Sequence, residues 1–284
     1  MIAFIDWTVS SELIPGYKTP NLYGVLFVTG LIIGYFLIKN RFKKEGITDA
    51  VLDKLVLYMV LATIVGARLG HVFFYGPYWD KFDAQGRVIE TGYFSHPEDI
   101  IKVWEGGLAS HGAALLILIS LYFFSKRVVN KPYLWILDRV AASIAIAGCF
   151  IRLGNLVNHE IVGDPTTLPW AFSFHNYYDE TLGLYDPTPR HPAQLYEAIC
   201  YLMSFVVLFY MQRKGKLSQP GYVFGSFLML IFGARFLVEF VKVGQTARDY
   251  TLTLNTGQML SIPLVLAGVY LFIKATKTVD PTKG

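Results

Sequence analysis

The feature that most constrains this chain is a succession of apolar runs long enough to cross a lipid bilayer. A helix of roughly 20 apolar residues spans the hydrocarbon core, and inside hydrocarbon its backbone N–H and C=O groups must bond to each other. We therefore predict an all-α fold: a polytopic membrane helix bundle with about seven transmembrane helices. The predicted spans are 22–38, 55–75, 107–125, 133–152, 192–211, 221–241 and 257–273.

The composition agrees with a membrane bundle and excludes other classes of protein. Only 16% of the residues are charged and the mean hydropathy is +0.42, whereas roughly a quarter of the residues are charged in soluble domains. The net charge of +4 is small and no long basic stripe occurs, so nucleic acid is not an expected partner. Cys149 and Cys200 lie in apolar runs, which argues against a disulfide framework. Residues 1–20 do not resemble a cleavable signal peptide, so the first apolar run is expected to direct insertion.

The distribution of lysine and arginine predicts the orientation of the bundle. Fourteen of the 25 basic residues fall in the links and the tail on one side, and seven fall in the longer segments on the other side. Because basic loops stay in the cytoplasm, we predict an outside N-terminus and a cytoplasmic C-terminus. Residues 1–284 would then form a single membrane domain with outward-facing loops near 76–106 and 153–191.

Polar and ionisable side chains are concentrated near the outer ends of the predicted spans. A charge inside the bilayer costs about 2.5–3.5 kcal/mol on insertion scales, so such residues indicate function. Polar residues that only join neighbouring helices would be expected at many depths in the membrane. The polar residues of this chain instead lie at one depth. The set consists of Tyr23, Arg68, His71, His111, Arg152, Asn155, His191, Gln194, Glu197, Arg235 and Glu239.

The spacing within this set favours an anion-binding site. Arg152 and Asn155 are three residues apart, and Arg235 and Glu239 are four apart, so each pair can share a helix face. Buried arginine binds phosphate or carboxylate through two parallel hydrogen bonds, and a phospholipid headgroup is the phosphate expected at this depth. No cluster with metal-ligand spacing occurs, so neither a metal nor another cofactor is expected.

Several members of the set have simpler interpretations when taken singly. Arg235 and Glu239 could form a structural ion pair, Arg68 and Arg139 could extend to a membrane interface, and Asp138 could pair within the bundle. A transporter or lipid flippase is an alternative function, but it would place its site near the bilayer centre and usually contains repeats. A purely structural membrane protein would leave the arginine-rich layer unexplained.

Six ordered sequence blocks are spread over nearly the whole chain: 23–24 (YG), 104–112 (WEGGLASHG), 152–163 (RLGNLVNHEIVG), 190–197 (RHPAQLYE), 233–239 (GARFLVE) and 257–263 (GQMLSIP). These blocks resemble those of bacterial prolipoprotein diacylglyceryl transferases. One departure is Lys242, where the family often has arginine.

The resemblance implies a transferase that acts in the first step of bacterial lipoprotein maturation. It would move the diacylglyceryl group of phosphatidylglycerol to the lipobox cysteine thiol in the signal peptide of a preprolipoprotein, forming a thioether and releasing glycerol phosphate. The implied location is the bacterial cytoplasmic (inner) membrane, as a multi-pass protein in contact with membrane lipid, and no cofactor is implied. The implied catalytic residues are His111, Arg152 and Arg235. The implied substrate-binding residues are Tyr23, Arg152, Asn155, Glu160, Gly163, Gln194, Glu197 and Glu239.

Two mechanisms for activating the substrate thiol remain open at this stage. The thiolate is the reactive form, and a free cysteine has a pKa of about 8.5. His111 could act as the general base, because imidazole titrates near neutral pH. Alternatively, the field of the arginines lowers the pKa of the thiol and His111 only positions groups.

Overall fold

The computed structural model describes residues 4–103, 106–179, 182–244, 249 and 253–277. Trp104 and Glu105 of the second sequence block lie outside the described residues, as do Arg248 and the tail from residue 278 onward. The chain divides into two compact units. The first comprises Met1–Arg41 and Leu137–Gly284, and the second comprises Phe42–Ile136.

Seven helices in the described part of the chain are long and apolar enough to cross a membrane, which confirms the predicted helical membrane fold. A π-helical turn, Ser125–Val129, continues the third helix, and a 3-10 turn, Glu239–Val241, continues the sixth. The orientation of the termini and the single-domain organisation stay predictions. The helices are α1 (Leu22–Lys44), α2 (Asp49–Phe74), α3 (Ser110–Phe124), α4 (Tyr133–Val157), α5 (Ala193–Arg213), α6 (Tyr222–Val238) and α7 (Thr256–Lys277).

Short strands occupy the N-terminal segment and the two long loops. They are β1 (Ile5–Trp7), β2 (Glu12–Ile14), β3 (Tyr17–Asn21), β4 (Lys81–Phe82), β5 (Val88–Glu90), β6 (Phe172–Phe174), β7 (Tyr178–Asp179), β8 (Leu184–Tyr185) and β9 (Pro189–Arg190). In the first unit, β1 pairs in parallel with β6, and β6 pairs antiparallel with β9. The other strands form two-stranded antiparallel hairpins, β2–β3, β4–β5 and β7–β8.

Small residues on α4 allow the helices of the first unit to pack closely. Ala141, Ala142 and Ala145 are buried in a core that α5 and α6 also line. On another face of α4, the Ser143 hydroxyl donates a 3.1 Å hydrogen bond to the Gly34 carbonyl of α1. Close backbone approach through small residues is the usual basis of helix association in lipid, where apolar burial gives no driving force.

Asp138 on α4 binds the N-terminus of α6. Its fully buried carboxylate accepts hydrogen bonds from the backbone N–H groups of Gly221 (2.7 Å) and Phe224 (2.8 Å). The first N–H groups of a helix have no partner within the helix and carry partial positive charge, so a carboxylate there satisfies both needs. Asp138 therefore fixes the start of the helix that carries Arg235.

The close packing of α6 against α7 can be tested by substituting a glycine. Gly225 on α6 lies against Gly268 on α7, and a Cβ at Gly225 would stand 2.8 Å from the Gly268 carbonyl oxygen. We expect Gly225→Ala to lower the free energy of unfolding by about 1–3 kcal/mol through overpacking. Gly233→Ala on the same helix is the matched control, because a Cβ there meets no atom within 4 Å.

Alanine is the better helix former, so Gly233→Ala should leave thermal stability in detergent unchanged or slightly raised. Equal melting temperatures for the two variants would contradict the proposed close contact between α6 and α7.

Candidate functional site

Arg152, near the C-terminal end of α4, is held by two side chains of the first unit. Its Nε atom lies 2.7 Å from Oε2 of Glu197 on α5, and its Nη1 atom donates to Oδ1 of Asn155 at 3.1 Å. Glu197 is fully buried, whereas 14% of the Arg152 side chain remains exposed. The three-residue spacing predicted for Arg152 and Asn155 thus brings them into contact.

Asn155 connects Arg152 to the carboxylate of Glu160. The Asn155 amide donates a 2.7 Å hydrogen bond to Oε1 of Glu160, and the Gln194 amide donates a 2.6 Å hydrogen bond to the Glu160 backbone carbonyl. Glu160 itself is exposed. The structure therefore places an exposed carboxylate two hydrogen bonds away from the Arg152 guanidinium.

The segment that carries Glu160 is shaped by His159. Its Nε2 atom is hydrogen-bonded to the Val9 carbonyl at 2.8 Å, and its Nδ1 atom accepts from the Asn176 backbone N–H at 3.3 Å. Burial lowers the pKa of His159, which favours the neutral ring that this pair of bonds requires. His159 therefore ties the N-terminal segment to the loop after α4.

Glu239 gathers a second group of charged side chains at the end of α6. Its Oε1 atom lies 3.7 Å from Nε of Arg235 and 2.8 Å from Nζ of Lys242, and its Oε2 atom accepts from the Asn255 amide at 3.2 Å. The predicted span 221–241 treats this segment as one helix. However, α6 ends at Val238, and Glu239 begins the 3-10 turn.

The ion pair between Arg235 and Glu239 forms despite this change of helix type. The Arg235 side chain is 24% exposed, and its buried Nε atom has no hydrogen-bond partner among the described residues. The positive charge of Arg235 is therefore only partly satisfied by the Glu239 carboxylate.

Sequence reasoning missed Tyr201. It is 6% exposed, and its phenol interacts with the Arg152 guanidinium and lies within electrostatic range of Glu197 and Arg235. Tyr201 follows Glu197 by four residues on α5, so helical spacing alone placed it on the same face. The four-residue spacing could have identified Tyr201, but a tyrosine in an apolar run is equally well explained by packing.

Tyr23 and Gly163 also belong to the first unit, although they are far apart in the sequence. Tyr23 packs on α4, where a Cβ at Gly154 would lie 2.6 Å from its ring, and it interacts electrostatically with Glu160 and Arg152. The backbone N–H of Gly163 donates a 2.9 Å hydrogen bond to the His191 carbonyl. A Cβ at Gly163 would stand 2.7 Å from that same carbonyl oxygen, so no larger residue fits.

In the second unit, Arg68 binds the backbone of the loop that precedes α3. Its guanidinium donates to the carbonyl oxygens of Ile100 (2.9 Å), Gly106 (2.6 Å) and Gly107 (3.2 Å), and also to that of Asp99. Arg68 is only 5% exposed, so its side chain is turned into the protein rather than outward. It therefore determines the path of this loop.

The same loop leads to His111, the second residue of α3. Gly107 has a φ of +67°, and a Cβ there would lie 2.8 Å from Nη1 of Arg68 and 2.9 Å from Cε1 of His71. Only glycine combines this backbone conformation with this close approach. His111 is exposed and belongs to the second unit, whereas every other residue implied to be catalytic or substrate-binding belongs to the first.

The chemistry available to the first unit is anion binding. Two guanidinium groups, each beside a buried carboxylate, retain partial exposure. Such groups can donate paired hydrogen bonds to a phosphate. Among the described residues, no group of three His, Cys, Asp or Glu side chains could hold a metal ion.

Comparison with known proteins gives one consistent family. A family model described as prolipoprotein diacylglyceryl transferase matches residues 14–274. A relative from Tolumonas auensis named phosphatidylglycerol--prolipoprotein diacylglyceryl transferase is 41% identical over 95% of this chain and 97% of its own length. Relatives with the same name from Porphyromonas gingivalis and Chloroherpeton thalassium are 40% and 39% identical, each over 97% of this chain and 96% of its own length.

Proposed function

Because this chain belongs to the prolipoprotein diacylglyceryl transferase family, we propose that it transfers the diacylglyceryl group of phosphatidylglycerol to the lipobox cysteine thiol of a preprolipoprotein. This reaction is the first step of lipoprotein maturation. The seven membrane-spanning helices make it a multi-pass membrane protein. We place its single transferase domain in the bacterial cytoplasmic membrane, with the N-terminus and the loops near 76–106 and 153–191 outside and the C-terminus in the cytoplasm.

The observation that carries this proposal is the pair of buried arginine–glutamate contacts in the first unit. Glu197 holds Arg152, and Glu239 lies beside Arg235, so both guanidinium groups are oriented before any ligand binds. A phosphodiester headgroup would accept their remaining N–H groups. Preorganised donors of this kind stabilise charge that develops in a transition state.

The proposed reaction is a displacement at carbon. The substrate thiolate attacks the diacylglyceryl carbon that bears the phosphoester oxygen, so a C–S bond forms as the C–O bond breaks. The electron pair of that C–O bond goes to the phosphate, and glycerol phosphate leaves with an additional negative charge. Arg152 and Arg235 would stabilise this leaving group, and the nucleophile belongs to the peptide, so no nucleophilic side chain of the protein is required.

The remaining site residues would orient the lipid. Asn155 and Glu160 form a hydrogen-bonded chain that ends at an exposed carboxylate, which suits the hydroxyl groups of a glycerol headgroup. Gln194 and Gly163 hold the segment that carries Glu160, and Tyr23 lies close to both Glu160 and Arg152. We propose that His111 acts as the general base that accepts the proton of the substrate thiol.

The direct test is lipid transfer by the purified protein. Incubation with phosphatidylglycerol and a synthetic lipobox peptide should increase the peptide mass by one diacylglyceryl group and release one glycerol phosphate per modified peptide. The control peptide has serine in place of the cysteine and should keep its mass. A peptide that gains no mass, in a preparation that moves labelled phosphatidylglycerol across vesicle bilayers, would favour the flippase alternative.

A further inference from the structure

Lys242 is buried beside the arginine site, although the proposed reaction gives it no role. It follows the 3-10 turn after α6, and only 1% of its side chain is exposed. Its backbone forms an antiparallel bridge with Gly163, and the neighbouring Val243 N–H donates to the Val162 carbonyl at 3.2 Å. The lysine is therefore fixed by main-chain bonds to the loop that carries Glu160.

The ammonium group of Lys242 links the two arginine–glutamate pairs. Its Nζ atom lies 2.8 Å from Oε1 of Glu239 and 3.9 Å from Oε1 of Glu197. Each of these carboxylates thus interacts with an arginine and with the same lysine. Lys242 therefore competes with each arginine for the negative charge of its carboxylate.

The charges of the described buried residues around these pairs do not balance. Arg152 and Arg235 are matched by Glu197 and Glu239, and Lys242 adds a third positive charge. Glu160 carries a further negative charge, but it is exposed and solvent screens it. The buried cluster therefore has one positive charge in excess, and an excess buried charge favours a ligand of opposite sign.

We infer that Lys242 is a specificity-determining positioning residue that makes the arginine site select lipids with a net negative headgroup over zwitterionic ones. The inference rests on the proposed function and adds a reason for its choice of lipid. Without Lys242, each arginine would be neutralised by its own glutamate. The site would then distinguish a phosphatidylglycerol headgroup from a phosphatidylethanolamine headgroup only by shape and hydrogen bonding.

The test compares Lys242→Met, which keeps an unbranched side chain of nearly the same length but removes the charge, with Lys242→Arg, which keeps the charge. In mixed micelles, Lys242→Met should raise KM for phosphatidylglycerol by about ten- to a hundredfold, as expected for one charge at an effective dielectric constant of about 20. The inhibition constant of phosphatidylethanolamine should change little. Lys242→Arg should keep both values near those of the wild-type protein.

A double variant separates charge from structure. Lys242→Met with Glu239→Gln removes one charge of each sign and restores the excess of one positive charge. It should recover a substantial part of the preference for phosphatidylglycerol over phosphatidylethanolamine, and it leaves no unmatched buried carboxylate if the single variant folds poorly. A merely structural lysine predicts that both lipids bind more weakly by the same factor and that the double variant is no better.

The two proposals fail in different ways. If the wild-type protein transfers no diacylglyceryl group, the proposed function is wrong. If the wild-type protein is active and Lys242→Met keeps the wild-type ratio between the two lipids, the charge role of Lys242 is wrong while the function stands.

Discussion

Arg152→Lys is expected to lower turnover per folded molecule by about 10²–10³-fold. Lysine keeps the positive charge but loses the planar fork that lets Arg152 contact Glu197 and Asn155 and still donate to a phosphate. Removing a donor that acts in the transition state typically costs about 2.7–4 kcal/mol. The measurement is the rate of peptide lipidation at saturating phosphatidylglycerol, divided by the amount of folded protein in detergent.

A matched control lies on the same helix. Arg139 is also buried, and it stands thirteen residues before Arg152, which is about 20 Å along the axis of α4. Arg139→Lys should reduce stability or yield and leave turnover per folded molecule unchanged, whereas Arg235→Lys should behave like Arg152→Lys. Wild-type turnover in both Arg152→Lys and Arg235→Lys would show that these arginines form structural ion pairs and do not bind the phosphate.

His111→Gln is expected to lower turnover at neutral pH by about 10²–10⁴-fold, the usual range for loss of a general base, with little change in phosphatidylglycerol binding. The defect should shrink as the pH rises through the pKa of the substrate thiol, near 8.5, because the thiolate then forms without a base. A pH profile of lipidation for the wild-type and variant proteins therefore tests the mechanism as well as the residue.

His96→Gln serves as the control in the same unit. His96 is half-buried and bound to Asp80, with 3.2 Å between Nε2 and Oδ2, in the loop before α3. This variant should retain full turnover. Near-normal activity of His111→Gln at neutral pH would leave the field of the arginines as the better account of thiol activation.

The sequence was sufficient to predict the helices and the short-range pairs of the site. Apolar runs placed all seven helices, because burial in lipid depends on length and hydropathy rather than on the partner of each helix. Helical spacing likewise placed Arg152 next to Asn155 and Arg235 next to Glu239, since residues three or four apart share a face whatever the tertiary structure.

The contacts that sequence reasoning missed join segments far apart in the chain. Arg68 was interpreted as a side chain that could extend to an interface, yet it binds backbone carbonyls of a loop that no periodicity describes. Asp138 pairs with backbone amides at the start of a helix rather than with a side chain, and the amino-acid sequence does not show which backbone amides a carboxylate will bind. Lys242 acquires its carboxylate partner Glu197 only because α5 and the end of α6 meet.

The attachments of α6 have a consequence for the depth of the arginine it carries. At its start, the helix is fixed to the Asp138 carboxylate through the Gly221 and Phe224 N–H groups. Just beyond its end, the Val241 carbonyl accepts a 2.9 Å hydrogen bond from the Asp164 N–H. A slide along the axis by one turn, about 5.4 Å, would break both attachments at once. Arg235 is therefore held at a fixed position along the axis of α6, and under the proposed function the phosphate of the lipid has to reach that position.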